Sequence, residues 1–379
     1  MSVVAETPLD RATITALDAS DMLGAIESLP DQLVQAYGTA RAAFGGAFGA
    51  GGKRPPSNPN GLAICGMGGS AIGGDLVVAS LPELALPATV VRGYALPSWI
   101  GPDALVILAS YSGDTEETLA CAETAVARGC VPVCVASGGR LAAFAAAHDL
   151  PLVSIAGGGQ PRASLGKLAA PLLAALEAAG LCASQATNLD ETVALLRRGI
   201  VEHGPDSDDG PLAAAPDPEL PPRAPAKGLA RLAYGRQVVV YGAGSTVAAA
   251  RRWKGQINEN AKAPAFANEL PELDHNEIMG WTSLPALARG TLAVFLNDGE
   301  LDRRLLLRAE LTAAVLAERE VGVEHVWAHG ATRLARLFSL VQLGDYVSYY
   351  LALLYGVDPT PVAAIQDFKA KLMTAGLDA

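Results

Sequence analysis

The sequence predicts an α/β protein made of two doubly wound parallel sheets and a C-terminal helical segment. Short apolar runs typical of strands alternate with helical patterns, as in a parallel sheet covered on both faces. The 379 residues exceed one ordinary core, and their number suits two domains of about 150 residues each. A strand, a glycine-rich turn and a helix occur in succession in both halves, which suggests a duplicated α/β unit.

The first half of the chain is expected to begin with a helical stretch and to continue as a five-stranded sheet. Residues 13–42 carry an apolar stripe at helical spacing, and the Gly- and Pro-rich stretch 45–60 separates them from the first strand. The expected strands are 62–65, 89–92, 105–109, 131–135 and 152–155. We place a lead-in at residues 1–19 and the first domain at 20–180.

The second half is expected to repeat this pattern after a connecting helix at 181–202. Residues 203–227 are rich in Pro, Asp and Ala and show no period, which is typical of a mobile insertion. A second domain at 228–345 and a C-terminal helical segment at 346–379 follow. The strands expected in this half are 237–241, 292–295 and 325–327.

Composition favours a soluble enzyme rather than a nucleic-acid or membrane protein. Hydrophobic residues make up 50% of the chain and charged residues 18%, so two cores can be filled. A net charge of −11 argues against a nucleic-acid or anionic-membrane surface, which needs a basic face. The N-terminus lacks the basic and apolar regions of a signal peptide, so we expect a cytoplasmic protein. The five cysteines are expected to be mostly buried free thiols, and no residue spacing indicates a metal site.

Two clusters of small polar residues each follow a strand and open a helix, at 66–71 (Gly-Met-Gly-Gly-Ser-Ala) and at 110–115 (Ser-Tyr-Ser-Gly-Asp-Thr). Unpaired backbone N–H groups and the helix dipole favour an anion at such a position. The hydroxyls of Ser110, Ser112 and Thr115 favour a phosphomonoester, and Thr115 is placed to cap the following helix. Together the clusters predict a phosphorylated small molecule as the ligand.

Two alternatives to a phosphomonoester ligand stay open for the first cluster at this point. Gly66-x-Gly68-x-x-Ala71 satisfies the dinucleotide-binding pattern of a nicotinamide-dependent dehydrogenase. The next strand, however, ends in Arg92, where an acidic residue would usually bind the ribose. Glycine turns without any ligand are the second alternative. A P-loop is excluded, because neither cluster ends in Gly-Lys-Ser/Thr.

Four motifs occur in an order that gives the chain a family resemblance. They lie at 66–75, 110–118, 161–166 and 258–277, and the last contains Asn-Glu-Asn-Ala-Lys-Ala-Pro-Ala and Glu-Leu-Asp-His-Asn-Glu. Over about residues 15–375 the chain resembles the bifunctional phosphoglucose/phosphomannose isomerases of archaea and bacteria, whose sugar isomerase (SIS) domains are flavodoxin-like. The resemblance implies an isomerase without cofactor or metal. It would interconvert glucose 6-phosphate and fructose 6-phosphate, and also use mannose 6-phosphate, through a cis-enediol.

The resemblance also implies roles for side chains that alone would count as surface residues. Glu259 becomes the base that moves a proton between C1 and C2, and Arg162 becomes the cation that stabilises the enediolate. His275 exchanges a proton during ring opening and is supplied across the interface of a homodimer. Lys369 assists ring opening, and the nearby Lys371 is the alternative.

The remaining implied contacts concern the hexose 6-phosphate itself. Gly68, Gly69 and Ser70 are expected to lie along the sugar, and the 110–115 cluster at its phosphate. Thr360, which before Pro361 looks like an ordinary helix N-cap, is a candidate contact near C2. A non-catalytic sugar-phosphate-binding regulatory protein of the same superfamily is the alternative from another class, although no DNA-binding segment or basic helix is apparent.

Overall fold

The computed structural model describes residues 7–45, 53–207 and 225–375. Three helices precede the first sheet and cover most of the stretch 13–42 that the sequence predicts to be helical: α1 (Arg11–Leu17), α2 (Met22–Glu27) and α3 (Leu29–Phe44). Aspartates start the first two of these helices. The Asp10 carboxylate accepts from the backbone N–H of Thr13, and that of Asp21 accepts from Gly24.

The first sheet is fully parallel, with the flavodoxin-like strand order β2-β1-β3-β4-β5. The strands are β1 (Leu62–Cys65), β2 (Ala88–Val91), β3 (Leu105–Ser110), β4 (Val133–Ala136) and β5 (Leu152–Ser154). All five lie within two residues of their predicted positions, because each is an apolar run between turn residues. The helices of this half are α4 (Gly68–Ser80), α5 (Glu116–Ala127), α6 (Gly139–His148) and α7 (Leu165–Ala178).

The second sheet is also parallel and repeats the order of the first four strands, as β7-β6-β8-β9. Its strands are β6 (Gln237–Ala243), β7 (Ala265–Leu270), β8 (Thr291–Asn297) and β9 (Gly322–Trp327). β7 has no counterpart among the predicted strands, since this edge strand contains Asn and Glu and only its two end residues are buried. The predicted insertion at 203–227 lies mostly outside the described residues.

The remaining helices connect the sheets and fill the space between them. They are α8 (Ala186–His203), α9 (Ala226–Ala233), α10 (Val247–Asn260), α11 (Pro285–Arg289), α12 (Arg303–Glu318), α13 (Arg333–Leu354) and α14 (Ala363–Thr374). Within the described ranges only α13 is long and apolar enough to cross a membrane, but 94% of its most apolar window is buried in the protein. Packing therefore explains its composition. By contrast, every α14 side chain that the structure describes is exposed.

Four of the five cysteines are buried and Cys182 is half-buried, and all five are free thiols. Cys65 and Cys134 lie within strands of the first sheet. Burial raises the pKa of the Cys134 thiol to about 12, so it stays protonated at neutral pH. The expectation of mostly buried, unpaired cysteines is confirmed.

Candidate active site

The 110–115 cluster forms a compact group of hydroxyls at the carboxyl end of β3. The Ser110 Oγ and Thr115 Oγ1 atoms lie 2.8 Å apart, and Ser110 Oγ accepts from the N–H of Gly113 at 3.0 Å. Ser112 Oγ accepts from the N–H of Asp114 at 3.2 Å. Thr115 does occupy the N-cap position of α5, but its hydroxyl bonds to Ser110 and makes no capping bond to the helix. The structure therefore brings two of the predicted phosphate hydroxyls, those of Ser110 and Thr115, into contact and places the third, that of Ser112, in the same turn.

The turn requires glycine at position 113. Its φ is +80°, and a Cβ on it would lie 1.9 Å from the carbonyl oxygen of Gly138. Any other residue would thus force the loop after β4 away from the hydroxyl cluster.

The 66–71 cluster lies between β3 and the loop that carries Arg162. Gly68 and Gly69 open α4, and Ser70 is buried one residue later. A Cβ on Gly69 would lie 2.8 Å from the carbonyl oxygen of Pro161, so glycine here permits a close approach of two backbones. This contact places the first cluster directly beside Arg162.

Arg162 lies in a short 3-10 turn, Pro161–Ala163, with only 4% of its surface exposed. Its Nε donates to Asn260 Oδ1 at 2.7 Å. Its Nη2 donates to the carbonyl oxygens of Pro359 at 2.7 Å and Thr360 at 2.8 Å. Burial lowers the pKa of Arg162, and the Glu259 carboxylate opposes that shift. The result is a fixed positive charge held by parts of the chain far apart in sequence.

Glu259 lies in the last turn of α10. Its carboxylate is 3.8 Å from Arg162 Nη1, and a third of its side chain (33%) is exposed. The adjoining Asn260 is fully buried and holds Arg162, with its Nδ2 donating to Ser348 Oγ at 3.0 Å. Neighbouring residues on one helix end therefore orient the arginine and present a carboxylate to it.

Thr360 is not a helix N-cap, which corrects the sequence prediction, because α14 begins at Ala363 with Val362 before it. The threonine is only 9% exposed, and its backbone N–H donates to Asp358 Oδ1 at 2.8 Å. Among the described residues its Oγ1 has no hydrogen-bond partner. A buried hydroxyl in this state is unusual in proteins and is available to a ligand.

His275 and Lys369 lie apart from this cluster. His275 is exposed at the end of the 3-10 turn Glu272–His275 after β7, and Lys369 lies on the exposed α14. In the parts of the chain that the structure describes, neither forms a hydrogen bond or ion pair with Arg162 or Glu259. The neighbouring Asp274 is held in place by two hydrogen bonds. Its carboxylate accepts from Thr312 Oγ1 at 2.7 Å and from Arg308 Nη1 at 2.8 Å.

Sequence reasoning misses several residues that build the site. Asn260 and Lys262 fall inside the 258–277 motif, but they form hydrogen bonds with residues 348 and 359, which are distant in the sequence. Gln160, which accepts from Arg162 Nη1 at 3.3 Å, gives no sequence signal at all. Among the described residues no group of three His, Cys, Asp or Glu side chains could hold a metal ion.

Solved structures with similar folds share little sequence with this chain. A hypothetical protein from Thermus thermophilus superposes with a TM-score of 0.69 at 17% identity, covering 97% of this chain and 94% of the other. Tagatose-6-phosphate ketose/aldose isomerase from Escherichia coli superposes with a TM-score of 0.67 at 15% identity, covering 93% of this chain and 98% of the other. These similarities support the two-sheet fold, which agrees with the sequence prediction.

Sequence comparisons are more specific. Residues 223–372 match the bacterial phospho-glucose isomerase C-terminal SIS domain. The bifunctional phosphoglucose/phosphomannose isomerase of Caldicellulosiruptor bescii is 40% identical over 82% of this chain and 89% of its own length. The bifunctional phosphoglucose/phosphomannose isomerase of Aquifex aeolicus is 35% identical over 82% of this chain and 90% of its own length. Since these relatives match along nearly their whole lengths, the chain belongs to the bifunctional phosphoglucose/phosphomannose isomerase family.

Proposed function

We propose that this protein interconverts glucose 6-phosphate and fructose 6-phosphate, and mannose 6-phosphate and fructose 6-phosphate, through a cis-enediol. The observation that carries the proposal is the Glu259 carboxylate 3.8 Å from the buried guanidinium of Arg162. The curated relatives named as isomerases favour it over a regulatory binding protein. A coupled assay of purified protein with both aldose phosphates in EDTA tests it. Binding without any turnover would contradict it.

The chemistry follows from what each group can do. A carboxylate can take the proton from C2 of the open aldose and return it to C1, so Glu259 alone serves both steps. The intermediate carries negative charge on its oxygen atoms. Arg162 cannot act as an acid at neutral pH, but its fixed charge stabilises the enediolate without reorganisation.

Substrate binding is assigned to the two clusters beside this pair. We assign the phosphate to Ser110, Ser112 and Thr115, whose three hydroxyls lie within one turn. Gly68, Gly69 and Ser70 then lie along the sugar, since they adjoin the Arg162 loop. The sugar thus runs from the carboxyl end of β3 toward Arg162 and Glu259.

Thr360 is assigned to the sugar near C2, where glucose and mannose differ. We expect Thr360→Val to lower kcat/KM about fivefold, more strongly for mannose 6-phosphate, because one hydrogen bond to substrate is lost. The melting temperature should stay equal or rise, because valine removes a buried hydroxyl that has no partner among the described residues. Thr360→Ser, which keeps the hydroxyl, is the matched control. If Thr360→Val had the kinetics of the wild type, Thr360 would not contact the sugar near C2.

His275 is assigned to ring opening in the site of a partner subunit, and the active unit to a homodimer. His275 is exposed in the single chain, and exposed apolar side chains follow it within ten residues, among them Met279 (69%) and Leu284 (60%). A second copy that covers these side chains would bury apolar surface and supply the missing imidazole.

Lys369 is assigned to ring opening as a proton donor, with Lys371 as the alternative on the same exposed helix. We expect Lys369→Met to lower kcat on the cyclic aldose phosphates roughly tenfold, because proton donation to the ring oxygen is lost. Lys371→Met is the matched control and should retain wild-type kcat. If Lys371→Met lowered kcat and Lys369→Met did not, Lys371 would be the proton donor.

The domain boundaries given above are part of the proposal: 1–19, 20–180, 181–202, 203–227, 228–345 and 346–379. Because α13 (Arg333–Leu354) continues across residue 345, the last two segments share a helix. We further propose a cytoplasmic location and a role in glycolysis and gluconeogenesis, where hexose 6-phosphates are interconverted. Fractionation of cells that produce the protein tests the location.

A further inference from the structure

Lys262 lies just beyond α10 and has no role in the assignments above. Its φ of +56° is in the left-handed region, which residues other than glycine rarely adopt. Its ammonium Nζ donates to the carbonyl oxygens of Glu259 at 2.7 Å, Asn260 at 3.2 Å and Pro359 at 2.9 Å. An ammonium has three hydrogens, so the protein itself occupies all of them. Lys262 is therefore arranged to hold the protein together rather than to contact substrate.

The three carbonyls belong to two separate parts of the proposed site. Those of Glu259 and Asn260 end α10, where carbonyls lack helical partners and a cation suits the negative end of the helix. The carbonyl of Pro359 also accepts from Arg162 Nη2, and the next residue is Thr360. Lys262 thus connects the helix end that carries Glu259 to the segment that carries Thr360.

The surroundings of the ammonium are otherwise unfavourable to it. Burial, and then the nearby Arg162 guanidinium, lower the pKa of Lys262 to about 8, although Asp358 and Glu259 act in the opposite direction. At neutral pH most of the side chain is still protonated. The three carbonyl oxygens that the ammonium binds explain why a positive charge is kept next to another cation.

We propose that Lys262 is a positioning residue that fixes the Glu259 carboxylate relative to the Thr360 hydroxyl. The inference rests on the proposed function, which gives Glu259 and Thr360 their roles. Without the ammonium, the end of α10 and the 359–360 segment remain joined through the Arg162 side chain but lose the second bridge between them, so their relative position is less constrained. Proton transfer and the discrimination between C2 epimers then both change.

Lys262→Met tests the proposal in the full-length protein, with Lys262→Arg as the rescue and Lys254→Met, at an exposed position of α10, as the matched control. We expect Lys262→Met to lower kcat about tenfold to a hundredfold, because small displacements of a base slow proton transfer strongly. The kcat ratio between mannose and glucose 6-phosphate should change, while KM stays within about twofold because the phosphate cluster is untouched. Lys262→Arg should recover part of kcat, and Lys254→Met should keep all of it.

A purely structural role would lower kcat for both substrates by the same factor, in proportion to the folded fraction. That result, or unchanged kcat in Lys262→Met, would overturn the proposal. Hydrogen exchange at residues 356–362 provides a readout that needs no activity. Faster exchange in Lys262→Met but not in Lys254→Met supports the connection, and unchanged exchange overturns it. Wild-type protein without turnover on either sugar would instead overturn the proposed function.

Discussion

Glu259→Gln is expected to lower isomerase kcat by about a thousandfold while sugar-phosphate binding stays close to wild type. The amide has the shape of the carboxylate but cannot take the proton from C2. Arg162 keeps its bonds to Asn260, Pro359 and Thr360, so its charge remains in place. The hydroxyl cluster of β3 and α5 forms its hydrogen bonds without Glu259 and should still bind the phosphate.

Coupled kinetics and calorimetry with fructose 6-phosphate measure the two parts of this prediction. Glu318→Gln, on the exposed end of α12, is the matched control and should behave as wild type. If Glu259→Gln kept most of the wild-type kcat, Glu259 would not be the base. If it lost binding together with kcat, the carboxylate would instead be a structural anchor for Arg162.

Mixed dimers of Glu259→Gln and His275→Ala subunits are expected to regain activity that neither variant has alone. If His275 acts in the partner's site, each mixed dimer contains one site with both substitutions and one site with neither. Random exchange of subunits makes half of the dimers mixed, so about a quarter of wild-type activity should return. If His275 acts in the site of its own chain, each site of a mixed dimer carries one substitution.

The assay compares the mixture, after subunits are exchanged by mild denaturation and refolding, with each variant treated in the same way. Wild-type protein taken through the procedure gives the reference for recovery. Activity of the mixture equal to the average of the two separate variants would contradict a shared site. A mixture of His275→Ala with Arg162→Met subunits should also regain activity, because Arg162 contacts Asn260 of its own chain.

Features set by neighbouring residues could be predicted from the sequence. The strands of the first sheet are apolar runs bounded by turns, and the hydroxyls of Ser110, Ser112 and Thr115 lie within six residues of each other. A local pattern also misleads where tertiary contacts dominate. Thr360 before Pro361 is typical of a helix start, but the hydrogen bond from Arg162 to the carbonyl oxygen of Thr360 holds the 359–360 segment outside α14.

Contacts between distant residues could not be predicted. Arg162 reaches Pro359 and Thr360 across 197 and 198 residues, and nothing near Arg162 in the sequence indicates these partners. The burial of Arg162 is equally a property of the packed chain, since a loop arginine is usually exposed. The sequence therefore indicates which chemical groups are present, whereas the fold determines which of them meet.

Glu259 is proposed to move a proton between C1 and C2 of a hexose 6-phosphate. This role can be tested by incubating fructose 6-phosphate with the protein in deuterium oxide and following C1 and C2 by NMR. We expect the wild-type protein to incorporate solvent deuterium at these carbons and Glu259→Gln not to do so, while still binding the sugar. Equal incorporation by the two proteins would contradict it.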